Sequence, residues 1–432
     1  MLNALELPTL ERDGERFVRP QFDGRGLANV APTVLRLLGV QPPRGLPSLD
    51  RTVLPERLSE GVQNVVLLIA DGLGHHQLQR EIEAGNAPHL SELLARAARG
   101  DADVSYQAIT SVFPTTTVAA LGSVNSGVTP AEHGLLAYTI YVPEFDMVGE
   151  MIRWGPLNRR VSFADPEFGH SAEDFFWAPT VYQQLRAAGV ERVFAVNPAG
   201  FAGTALTRML HQGATNCGYV ATSSLSAVVP RLLGPEADSP TYVYAYWPTI
   251  DTIAHLVGPR TEEHAAEVMA FDSALGRLLA RLPRSGETLV MLTADHGHIE
   301  TGPDHQLSLD QHPELLAMLR VPPAGERRAV YLYPRDGGAG DVLAYASERL
   351  RDASVAITRQ EAVMLGLFGP GAVSERAEAR IGEVLLFPRA NLQLTTDVVG
   401  PDGARMSGPA FRGLHGGLSE DETVVPLLAL RV

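Results

Sequence analysis

The chain has 432 residues, 45% of them hydrophobic, 20% charged and 6% aromatic, which excludes disordered, collagen-like and coiled-coil chains and leaves ample material for a large core. Its 50 acidic residues outnumber 35 basic ones, every one of the latter an arginine, for a formal net charge of -15. Such a chain repels polyanions, so no nucleic acid is expected on a basic face, yet a small phosphorylated substrate remains open to a locally positive pocket.

Residues 1–60 are rich in proline, glycine and arginine around one helical stretch. There Val30, Val34, Leu35, Leu37 and Leu38 line up as an apolar face and Gly39 stops the helix. This segment reads as an N-terminal arm docked on the main body. It has no basic region followed by an apolar stretch, and no run in the chain reaches the roughly 18 apolar residues of a membrane span. The expectation is a cytoplasmic protein without membrane association, and the lone Cys217, which has no partner for an intramolecular disulfide, fits a reducing compartment. Oligomeric state is not legible.

From Asn64 onward, three short apolar runs each close on an aspartate: NVVLLIAD at Asp71, TYVYAYWPTID at Asp251 and TLVMLTAD at Asp295. Continuous apolar runs of this length read as buried parallel strands. Helical patterns lie between them, as in Val268, Phe271, Leu275, Leu278, Leu279 and Leu282. The prediction is an α/β/α sandwich around a mostly parallel central sheet. Ligands bind such sheets outside the carboxyl ends of the strands, so three aspartates should meet at one edge. Carboxylates so gathered repel one another unless cations lie between them.

Other residues of the right chemistry flank these aspartates. Asp251 and His255 are four apart, one face of a helical turn. His296 follows Asp295 directly, and Gly297 lets the chain turn there. Near the C-terminus, His415 sits among glycines in RGLHGG. Three carboxylates and three imidazoles suffice for two zinc-like ions with open positions for substrate, manganese being the alternative metal. The run FPTTTVAALGSVNSG offers Thr115, Thr116 and Thr117 ahead of an apolar helix, with Thr117 at or beside its N-cap. A helix start seats a phosphate, and coordination to a divalent ion can hold a hydroxyl as an alkoxide.

Beyond His305, residues 306–400 carry further strands such as AVYLYP and EVLLFP. We read 311–380 as a small α+β insertion or cap on a metallohydrolase core of 61–310 and 381–432, with TVVPLLAL as a closing edge strand. His75 and His76 are expected at the surface, His133 in a structural turn, and Trp154, Trp177 and Trp247 in packing. His298 and the pair Asp304–His305 are candidates for supporting the metal ligands.

Taken in order, ADG at Asp71, PTTT ending at Thr117, SGVTPAEHG through His133, DTIAHLVGP, ADHG and LHGG resemble the alkaline phosphatase superfamily, within it the nucleotide pyrophosphatase/phosphodiesterase-like branch of type I phosphodiesterases. The resemblance implies one ion on Asp71, Asp295, His296 and the Thr117 oxygen, and a second on Asp251, His255 and His415. It also implies hydrolysis of phosphodiester or pyrophosphate bonds through a phosphothreonine at Thr117, which its spacing to Gly127 selects over its neighbours. Where nucleotide-cleaving relatives place an aromatic residue and a phosphate-contacting asparagine, this chain has Val118 and Tyr138, with Asn125 as a substitute from elsewhere. These three are the candidate substrate contacts. The alternatives are a phosphomonoesterase or phosphonate hydrolase of the same superfamily, or a non-catalytic metal-binding protein.

Overall fold

The computed structural model describes residues 7–42, 45–234, 239–406, 408 and 410–432. A seven-stranded sheet forms the centre, in the order Val104–Thr110, Val424–Arg431, Thr288–Thr293, Asn64–Ala70, Thr241–Trp247, Arg192–Pro198, Thr215–Tyr219. Only Val424–Arg431 runs against its neighbours; the remaining pairings are parallel. The three aspartate-ended runs occupy adjacent central positions. Their residues are buried almost throughout, as strands covered by helices on both faces must be. Register does the rest: Ala70 stands beside Trp247, and Ile69 beside Thr293, so the chain leaves all three strands at one level.

Val424–Arg431 is not the edge strand expected, because it pairs on both sides and Val104–Thr110 forms the rim. The N-terminal segment does pack on the body: Leu27, Val30, Val34 and Leu35 are buried in the main apolar core.

A second, antiparallel sheet of seven strands runs Ser354–Thr358, Val384–Pro388, Ala329–Leu332, Ala324–Glu326, Thr139–Val142, Met147–Glu150, Gly155–Pro156. It covers a core of its own that includes Leu309, Leu315, Val330, Leu332 and Val342. This corrects the expected 311–380 boundary. Three of its strands come from 139–156 and one from 384–388, joined through the pairing of Gly325 with Thr139. Alternation along one strand says which face is buried but not which distant strand completes its ladder. No described helix is long and apolar enough to cross a membrane.

Candidate metal centre and nucleophile

Asp71 follows its strand directly, and its N–H donates to Trp247 O at 2.9 Å, tying two strand ends together. The Tyr246 hydroxyl donates to Asp71 Oδ2, which leaves Oδ1 buried without a hydrogen-bond partner among the described residues. Asp295 is arranged likewise: its Oδ1 accepts from Gly72 N and His296 N, each at 3.1 Å, and its Oδ2 is buried with no hydrogen-bond partner among the described residues. Each carboxylate is thus anchored by one oxygen and offers the other. His296 hydrogen-bonds Gly297 O through Nδ1 at 3.2 Å, which turns Nε2 toward the free oxygens, 3.5 Å from Asp71 Oδ1 and 3.4 Å from Asp295 Oδ2. Thr117 Oγ1 lies 3.2 Å from the same nitrogen.

The second cluster stands beside the first. Asp251 and His255 share the helix Thr249–Val257, and His255 Nε2 lies 3.3 Å from Asp251 Oδ1. His415 Nε2 is 3.1 Å from His255 Nε2 and 3.6 Å from Asp251 Oδ1. His255 Nδ1 and His415 Nδ1 donate to Gly413 O and Thr115 O, both at 2.8 Å, so backbone carbonyls aim both Nε2 atoms inward. The His296 and His415 rings stack with centroids 3.6 Å apart, which makes the two clusters one site.

Electrostatics follow from burial. Burial, then Asp295 and Asp251, push the Asp71 carboxyl well above the usual carboxylate range. Burial would raise Asp251 as well, but the imidazoles of His255, His298 and His415 hold it well below that range. Unpartnered buried carboxylate oxygens facing an imidazole nitrogen are what a divalent cation satisfies, and an O/N donor set of this kind suits zinc. Two carboxylates with an imidazole, and one carboxylate with two imidazoles, therefore fit two such ions.

The helix Thr117–Ser126 begins with Thr117 as its first residue and Thr116 as its N-cap. Thr115 is buried and spent on the His415 loop, donating to Gly417 O at 2.9 Å and accepting from Gly416 N at 3.0 Å. It is the Thr117 hydroxyl that lies against the first cluster, 3.2 Å from His296 Nε2. The helix ends at Gly127 with φ +81°, and Pro130–His133 follows with Thr129 and Glu132 capping each other. His133 is buried in that turn, as expected.

Two of the three substrate contacts expected from the sequence are corrected. Val118 is buried in the main core. Asn125 lies two turns along the helix, its amide donating to Leu121 O and its carbonyl accepting from Tyr182 Oη at 2.8 Å. Both side chains face inward because every residue of the helix after Thr117 is buried. Tyr138 does line the cavity over the clusters. Its N–H donates to Glu326 Oε1 at 2.6 Å.

His298 reaches the site, its Nε2 donating to Asp251 Oδ1 at 2.9 Å. Its ring would lie 2.8 Å from any Cβ at position 72, where φ is +74°, so that turn needs Gly72. Asp304 and His305 are exposed, His75 and His76 bond Tyr106 and Glu420, and the three tryptophans pack. Tyr246 and Glu326 were not singled out from the sequence. Tyr246 had a signal, since a tyrosine inside a fully buried strand needs a partner for its hydroxyl.

The model of the family "type I phosphodiesterase / nucleotide pyrophosphatase" matches residues 65–417. The chain belongs to this family. Membership supports phosphoester hydrolysis as its chemistry. The search of curated proteins returned no match. Among solved structures, murine ectonucleotide pyrophosphatase/phosphodiesterase 5, in an inactive form in complex with AMP, is 15% identical, covering 85% of this chain and 87% of its own with a TM-score of 0.61. Phosphonoacetate hydrolase from Sinorhizobium meliloti 1021, in complex with phosphonoformate, is 19% identical, covering 99% and 94% with a TM-score of 0.60. Human ectonucleotide pyrophosphatase/phosphodiesterase 5 is 16% identical, covering 85% and 87% with a TM-score of 0.59. These likenesses establish the alkaline phosphatase-like fold of this family member.

Proposed function

We propose that this family member hydrolyses phosphodiester or pyrophosphate bonds with two divalent metal ions, zinc for preference and manganese as the alternative, through a phosphothreonine at Thr117. The observation that carries the reading is the convergence of Thr117 Oγ1 and the unanchored oxygens of Asp71 and Asp295 on His296 Nε2, beside a second cluster of Asp251, His255 and His415. When bound, such ions lower the pKa of a hydroxyl and neutralise charge on phosphoryl oxygens.

The chain's own residues do the placing. Thr117 sits at a helix start, where free N–H groups favour the phosphoryl oxygens, and its oxygen attacks phosphorus as the ester bond to the leaving group breaks. Water then cleaves the phosphothreonine and restores the hydroxyl. Tyr246, Gly413 O and Thr115 O hold the ligands in place, so little reorganisation is needed during the reaction. No side chain is assigned as general base.

Bis-p-nitrophenyl phosphate and p-nitrophenyl phosphate, assayed side by side with zinc or manganese, test the reading. The diester is expected to be the better substrate, and Thr117→Ala is expected to abolish both phosphoenzyme and turnover while retaining metal. A clear monoester preference, or turnover surviving in that variant, overturns the corresponding part.

A further inference from the structure

Glu326 closes the strand Ala324–Glu326 and lines the same cavity as Thr117, Asp251, His255 and His415. Its contacts place the side chain between the nucleophile and the second cluster. Glu326 Oε1 accepts from Tyr138 N at 2.6 Å, and the side chain of Thr116, N-cap of the Thr117 helix, hydrogen-bonds the same carboxyl. On its other side Gly416 passes so close that a Cβ there would lie 2.5 Å from Glu326 Cβ and 2.7 Å from its Cγ. Glu326 is therefore one residue removed from Thr117 through Thr116, and one from His415 through Gly416.

Among the described residues no arginine or histidine pairs with Glu326. Burial pushes its carboxyl up to about 7, against the hydrogen bonds of Tyr138 N and Thr116, and the Glu422 carboxylate adds to the rise. Above neutral pH the cavity thus holds a carboxylate with no cationic partner close to the attacking hydroxyl. A phosphodiester brings one negative charge to that place, whereas a phosphomonoester brings nearly two, its second proton being lost at about pH 6. The helix start, and any cation held by the clusters, attracts the doubly charged group more strongly. A preference for the singly charged one needs a repelling neighbour.

We propose that Glu326 is a specificity-determining residue, whose carboxylate turns away doubly charged phosphoryl groups and so reserves Thr117 for phosphorus that carries one negative charge. The proposal rests on the hydrolase reading above and assigns its discrimination against monoesters to one side chain.

Kinetics of the zinc-loaded protein at mildly alkaline pH, on bis-p-nitrophenyl phosphate and p-nitrophenyl phosphate, test it in the wild type and in Glu326→Gln, whose amide oxygen can still accept from Tyr138 N. The variant is expected to gain on the monoester, so that the ratio of diester to monoester kcat/KM falls about tenfold or more. A merely structural loss would lower both esters together. Glu326→Ala, which removes the carboxylate altogether, is expected to move the ratio in the same direction. Calorimetric titration with phenylphosphonate and its monomethyl ester makes the comparison without turnover: both variants are expected to gain affinity for the doubly charged phosphonate relative to the ester by a similar factor. Ratios kept at their wild-type values in both variants overturn the proposal. Absence of turnover on both esters by the wild type overturns the hydrolase reading instead, and the titrations then still decide whether Glu326 discriminates by charge.

Discussion

Arg328 and Glu422 form a buried two-point ion pair, Nε to Oε1 at 3.3 Å and Nη2 to Oε2 at 3.2 Å, which joins the hairpin of the second sheet to the loop that carries His415. Glu422 Oε1 also accepts from Gly417 N at 2.9 Å and its Oε2 from Ser419 Oγ at 2.6 Å, so one carboxylate organises the turn behind the ligand. Removing one partner of such a pair strands a buried charge and costs on the order of 3–5 kcal/mol. Arg328→Ala is therefore expected to lower the urea midpoint strongly and to weaken zinc retention, read by denaturation and by chelator competition. An unchanged midpoint would show that the pair does not anchor the loop.

His298 bears on the second cluster through its hydrogen bond to Asp251 and through edge-on ring contacts with His255 and His415. His298→Ala is expected to weaken zinc affinity about 10–100-fold, the usual cost of losing a partner that orients a ligand. Competition with a zinc indicator measures this directly. Affinity equal to wild type would mean that Asp251 needs no such support.

Burial pushes His133 down to about 3, with its Nδ1 accepting from Leu135 N at 3.1 Å and its Nε2 3.1 Å from Ser123 Oγ. A histidine whose folded pKa lies below its unfolded value of about 6.5 stabilises the fold fully above that value. The contribution is lost as pH falls from about 6.5 toward 3, at about 1.4 kcal/mol per pH unit. Urea titrations at pH 7 and pH 5 should differ by on the order of 2 kcal/mol from this group. His133→Gln should flatten that part of the acid limb; a limb of unchanged slope would assign the proton elsewhere.

Metal removal should cost stability as well as activity. Without cations, Asp71, Asp251 and Asp295 face one another across the same edge, the repulsion seen in the raised pKa of Asp71. Ligand-linked stabilisation is about 4 kcal/mol when free metal stands at a thousand times its Kd. Extensive dialysis against a chelator is expected to lower Tm by several degrees, and zinc to restore it. An identical Tm before and after would argue against resident ions.

The parts of the site that are legible in the sequence are those where a ligand is a short step from the element that places it. Asp71 and Asp295 follow buried strands within two residues, Asp251 and His255 share one helical turn, and Thr117 opens a helix. Val118 and Asn125 mislead because adjacency along the chain to Thr117 is not adjacency to the cavity: a helix turns each residue about 100° from the last, and this one is packed all around. Arg327 and Glu326 carry no periodic signal at all, since their meeting with Phe411 and Tyr138 depends on strand pairing and packing between segments far apart in the chain.

The sequence by itself specifies the strand runs, the helix starts and the kinds of donor that close them, because burial periodicity and capping act over a few residues. The partners of those strands are another matter. That Thr139 would pair with Gly325, that Tyr246 would hold Asp71, and that Arg328 would brace the His415 loop through Glu422 depend on contacts between segments tens to hundreds of residues apart. Backbone ladders form between any two compatible strands, so which pair forms is settled by how the whole core packs.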